Sequence, residues 1–122
     1  MKYELHRVNT NDVNVQDGVD GRCDSYLKNI YVVNCLERYG NPDIEKPFKY
    51  YYLHELEILK HEIIHAFLNE SGLKHETHSS CTWSQNEEMI DWFAIMFDRI
   101  HLTFIEAENF LKQFYGELNV DK

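Results

Sequence analysis

LKHEIIHAFLNESGL, residues 59–73, sets two histidines four positions apart, with a glutamate beside the first, inside a run of Leu, Ile, Ala and Phe. Polar groups in such surroundings are costly to bury unless something satisfies them. A helix turns about 100° per residue, so positions four apart end only about 40° apart and one turn along. His61 and His65 therefore share a face. With His61 at zero, Leu56, Leu59, Ile63 and Phe67 fall at roughly 160–240°, on the opposite side. The pattern predicts a helix over residues 53–71, with Gly72 as C-cap and Leu73 supplying the hydrophobic contact that often follows it.

Two neutral imidazoles so placed can converge on one zinc ion at about 2.0–2.1 Å. Glu62, about 100° round the helix, does not join them as a ligand but flanks the open position, where a carboxylate can accept a proton from water. The run His61-Glu62-Ile63-Ile64-His65 is a His-Glu-x-x-His motif. A random shuffle of a chain with 7 histidines in 122 residues would carry this motif about one time in twenty-five, so the motif alone decides little and a third ligand is needed.

NEEMIDWFA, residues 86–94, offers one. Ile90, Phe93, Phe97 and Ile100 carry a helical period over residues 86–99, which puts Glu87 and Asp91 on one face. Glu87 is the expected third ligand, with Glu88 on a different face as the reserve; Ser84-x-x-Glu87 also reads as a capping box, although Thr82-x-x-Gln85 could cap instead. Asp91, one turn on, is placed to accept the free ring N–H of a ligating histidine. Two histidines and one carboxylate leave zinc a position for water, the arrangement of a catalytic rather than a structural site.

Working outward, residues 3–9 (YELHRVN) and 29–39 (NIYVVNCLERY) read as strands, with turn signals in QDGVDGRCD between them and YGNPD after them. FKYYYL, residues 48–53, is open between a third strand and a surface loop. Residues 73–85 read as a loop, and a last helix is expected after Thr103, where Thr103-x-x-Glu106 fits a capping box, ending at Gly116. The aromatic series Trp92, Phe93, Phe97, Phe104, Phe110 and Phe114 is the expected core seam of the last two helices. His54 would share the histidine face only if the first helix reached back that far, and otherwise sits at the surface. His75 and His78 lie in the loop, where a mobile imidazole could stabilise an oxyanion. His6 and His101 carry no signal.

No repeat, low-complexity tract or linker divides the 122 residues, so one domain over 1–122 is expected. No apolar run approaches the roughly 20 residues of a membrane span, and the polar opening MKYELHRVNTND lacks a secretory core; the reading is cytoplasmic. A formal charge of −9 disfavours nucleic acid and anionic membranes, and with them a metal-dependent ribonuclease. Cys23, Cys35 and Cys81 are widely spaced and read as reduced thiols rather than as a disulfide framework or a zinc knuckle. The sequence leaves the oligomeric state open.

His61-Glu62-x-x-His65 followed by Asn86-Glu87-x-x-x-Asp91 resembles the gluzincin metallopeptidases. The flanking LKHEIIHAFLNESGL and NEEMIDWFA, with GRCDSYLKNIYV upstream, resemble more closely the small phage- and prophage-encoded zincin-like proteins of the ImmA/IrrE group. There a Glu-x-x-small-x-x-Phe-Ala helix supplies the last ligand; Glu87, Phe93 and Ala94 match it, while Ile90 stands where alanine is usual. The resemblance covers residues 21–94 and is specific for the metal site, not the substrate. It implies an α+β minimal zincin-like fold: a small twisted β-sheet packed on the active-site helix, and a C-terminal helical pair. It also implies that the strand over residues 29–34 is an edge on which an extended peptide is laid. The expected function is a zinc-dependent metallopeptidase acting on a peptide or protein substrate, with Glu62 as general base. The alternative is a zincin-like module that keeps the metal for stability or partner recognition and cleaves nothing.

Overall fold

The structure is a computed structural model that describes residues 2–70 and 87–116, with backbone alone at 87–91 and 94. The expectations for Gly72, Leu73, His75, His78, Cys81, Thr82 and Ser84 lie outside the described residues. So do those for the side chains of Glu87, Glu88 and Asp91.

The described residues form an α+β fold with a three-stranded mixed sheet and three α-helices. Strand β1 (Glu4–Val8) pairs parallel to β3 (Asn29–Val33), and β2 (Gly21–Asp24) pairs antiparallel to it, giving the order β1-β3-β2. The expected strand over residues 29–39 is therefore cut short at Val33. Asn34 ends it, since its side chain accepts a hydrogen bond from the Glu37 amide (3.0 Å) and caps helix α1 (Cys35–Tyr39). Strand β2 falls in a stretch read as a turn; the turn proper follows it, where Asp24 Oδ1 accepts from the amides of Tyr26 (3.0 Å) and Leu27 (3.1 Å). The finding also corrects the peptide edge. β3 lies between two partners, so among the described residues the sheet's edges are β1 and β2.

Helix α2 (Phe48–Glu70) begins five residues earlier than expected and absorbs FKYYYL. Tyrosine favours strands, yet Tyr51, Tyr52, Glu55, Leu56 and Leu59 are all buried at three- and four-residue steps, and the helical period wins. Helix α3 (Glu87–Tyr115) is continuous where a break was expected at Thr103. Ile100, Thr103, Ala107, Leu111 and Tyr115 form one buried stripe across that point. The Thr103 hydroxyl donates to the Arg99 carbonyl one turn back (2.9 Å) and does not cap. Gly116, at φ 76°, closes the helix as expected, its amide donating to the Lys112 carbonyl (3.0 Å).

Helix α2 is the middle layer. One side packs on the sheet through Leu59 and Ile63 against the Ile30 and Val32 layer, and the other packs on α3. The two helices run antiparallel: Phe48 and Tyr52 meet Tyr115, Lys60 lies over the Phe104 ring, and Phe67 shares a cleft with Met96. A helix covered on two sides exposes only a narrow stripe. Here that stripe carries Leu53, Glu57, His61 and His65, each one turn from the next. Among the described residues, no helix is long and apolar enough to cross a membrane.

Candidate metal centre

His61 and His65 are exposed, while Leu56, Leu59, Ile63 and Phe67 are buried, so the two faces oppose as the spacing predicts. The imidazoles approach each other through Nε2, 3.1 Å apart, with ring planes inclined at 73°. Two nitrogens at about 2.0–2.1 Å from one tetrahedral zinc are roughly 3.3 Å apart, so the pair fits as two donors to a common ion. Without an ion, the same distance lets one ring donate Nε2–H to the other. Ligation requires both Nε2 atoms bare, with the protons on Nδ1.

Glu62 is half-buried and lines a cleft of about 300 Å³ between β2 and α2. Asp20 and Gly21 form the β2 side; His54, Glu57, Ile58, His61 and Glu62 form the helix side. Among the described residues the Glu62 carboxylate has no hydrogen-bond or ion-pair partner. Burial raises its pKa above the ordinary carboxylate value, and the neighbouring His61 and His65 oppose that rise. A carboxylate that holds its proton more tightly than usual is a stronger base toward water, and a pKa moved toward neutral suits a group that must both take a proton and give it back. β2 comes this close because residue 21 has no side chain: a Cβ there would lie 2.4 Å from Ile58 Cγ2 and 3.3 Å from Glu62 Cγ.

Glu87 is the first residue of α3 and Asp91 lies one turn along. Because α3 is antiparallel to α2, with Met96 level with Phe67, the stretch level with His65 lies near Asp98. Along a straight helix Glu87 is then about 16 Å further on, so the described backbone does not by itself carry it to the histidine pair. Among the described residues no group of three or more His, Cys, Asp or Glu is gathered to hold an ion.

Of the cleft's polar members, sequence reasoning missed Glu57 and Asp20 and left His54 conditional on the helix reaching back to it. Glu57 continues the four-residue rhythm of His61 and His65 and could have been found from it. His54 joins because α2 starts early; its ring stacks on Tyr39 at 5.7 Å. Asp20 comes from outside the helix, held by Arg38 Nη1 (2.9 Å) and by the Tyr39 hydroxyl, which donates to it (2.6 Å). No local pattern announces that contact. No protein-family model, curated protein or solved structure matches the chain.

Proposed function

We propose that the chain is a zinc-dependent metallopeptidase of zincin-like build, acting in the cytoplasm on a peptide or protein substrate. The observation that carries this reading is the 3.1 Å approach of His61 Nε2 and His65 Nε2 beside an unpartnered, half-buried Glu62. His61 and His65 are two of the zinc donors. Glu87 is proposed as the third and Asp91 as the acceptor of a ligand ring N–H, both on sequence spacing alone; ligation by Glu87 requires the first turns of α3 to leave their straight course and approach the histidine pair.

Zinc held there would supply a Lewis acid that polarises a substrate carbonyl and acidifies water. The chain's own residues do the rest. His61 and His65 hold the ion with Nδ1 protonated. Glu62 takes a proton from water as it attacks the carbonyl and returns that proton to the leaving amine nitrogen when the C–N bond breaks. Its burial beside β2 keeps the carboxylate from turning out to solvent. The edge of β2, directly against Glu62, replaces residues 29–34 as the strand along which an extended peptide would lie.

The test is Glu62→Gln. Zinc content, read by elemental analysis, should persist, while peptide hydrolysis should fall by about 10²–10⁴-fold. Hydrolysis at the wild-type rate rules out the role. Zinc without hydrolysis in the wild type would leave the non-catalytic binding module. His65→Ala should abolish zinc binding, and Glu87→Ala should weaken it where Glu88→Ala does not. Unchanged zinc affinity in Glu87→Ala would remove Glu87 from the site.

A further inference from the structure

The cleft beside Glu62 has a charge and a shape that the catalytic roles do not use. It holds about 300 Å³, at the small end for a binding pocket, which is room for one long side chain rather than a whole ligand. One wall is the His54 ring, backed by its stack on Tyr39. The floor is Gly21 seated on Ile58, where any Cβ would intrude. Among the described residues no lysine or arginine lines it. Arg38, which reaches the cleft's edge at Asp20, is committed to Asp20 and to the carbonyls of Thr10, Val15 and Val19. Glu57 is exposed and has no ion-pair partner among the described residues.

Resting on the peptidase reading, we propose that this cleft is a specificity subsite for an arginine or lysine side chain of the substrate, with Glu57 as the residue that selects it. A guanidinium stacks on an aromatic face and is gripped by a carboxylate through paired N–H bonds; the His54 wall and Glu57 offer those two contacts. An acidic side chain would meet Glu57 there, and among the described residues no lysine or arginine lines the cleft to answer it. An apolar side chain would find only Ile58. The net charge of −9 steers a cationic segment toward the protein in the same sense. His54 lies seven residues before His61, about 10 Å along the helix, and an extended peptide advances about 3.3 Å per residue. The basic residue therefore sits about three positions from the bond to be cut.

The experiment uses the zinc-loaded full chain and fluorescein-labelled, terminally blocked octapeptides that differ at one position, Arg, Gln or Glu. Binding is read by anisotropy and cleavage by mass spectrometry in parallel aliquots. The Arg peptide should bind about tenfold more tightly than the Glu peptide, the gap should narrow with added salt, and Glu57→Gln should remove most of it with zinc content unchanged. Equal affinities, no binding of any peptide, or a preference that survives Glu57→Gln overturns the proposal. Zinc loss in Glu57→Gln also overturns it, since Glu57 would then be a metal donor. Arg-selective binding without cleavage would keep the subsite and discard the peptidase; cleavage without Arg preference would do the reverse.

Discussion

Glu55 and Glu62 stand seven residues apart on α2, two turns along and nearly on the same face, yet they live in opposite surroundings. Glu55 is wholly buried and fully answered. Arg7 of β1 donates from Nε at 2.7 Å and from Nη2 at 3.2 Å, the Cys35 amide donates at 3.0 Å, and the Tyr115 hydroxyl donates as well. Glu62, under the edge of β2, has none of this. What differs is not the helix but its cover. Over Glu55 lie the central part of the sheet's parallel pair, the start of α1 and the end of α3; over Glu62 lies a four-residue strand with a glycine at the contact. One carboxylate is spent on tying four elements together, and the other is left free for chemistry.

The contrast can be broken from the Glu55 side. Truncating Arg7, as Arg7→Met, strands a buried charge and should destabilise the fold by about 3–5 kcal/mol in urea titrations. The double variant Arg7→Met/Glu55→Met should recover most of that loss, because an apolar pair removes the desolvation cost along with the attraction. If the single variant costs under about 1 kcal/mol, the Glu55 network is not the structural tie its geometry implies. Neither change should alter zinc content.

This pair also marks where sequence stops being informative. The histidine face, the opposing apolar set and the end of α3 at Gly116 are periodic or capping features, and those were legible. Glu55 was not, because its partners Arg7, Cys35 and Tyr115 lie 48, 20 and 60 residues away. The break expected at Thr103 failed for a related reason. A threonine followed three residues later by glutamate reads as a cap, but its hydroxyl is equally satisfied by the carbonyl one turn back, and the buried stripe on either side decided for continuity. β2 was missed because four residues between turn signals carry too little pattern. With β2 went Asp20 and Gly21, and so the strand side of the cleft.

Gly21→Ala sharpens the comparison from the Glu62 side. The added methyl meets Ile58 Cγ2 at 2.4 Å and the Tyr31 carbonyl oxygen at 3.1 Å, so β2 must lift or Ile58 must turn. Overpacking of this kind costs about 1–3 kcal/mol. The backbone carbonyl cannot step aside as Ile58 can, so Gly21→Ala/Ile58→Ala should regain only part of the loss. A Gly21→Ala variant as stable as wild type would mean that β2 does not press on α2 beside Glu62.

The smallest effect tests how tightly the Glu55 end holds its protons. Burial pushes the Cys35 thiol up to about 12, with the Glu55 charge adding to it, and burial followed by the hydrogen bond to Glu55 raises the Tyr115 phenol above its ordinary value. Both groups have folded pKa values above their unfolded ones. The unfolded chain therefore sheds these protons first, and stability that is complete below about pH 9 is lost as pH climbs toward 12. Tyr115→Phe removes one of the two protons and a net hydrogen bond of about 1 kcal/mol, so it should lower stability slightly at pH 7 and make the alkaline fall shallower. Urea midpoints at pH 7, 9, 10 and 11 read both effects. A slope unchanged by Tyr115→Phe would place the alkaline loss on Cys35 alone, and a stability flat through pH 11 would mean that the Glu55 end is no better closed to water than the Glu62 end.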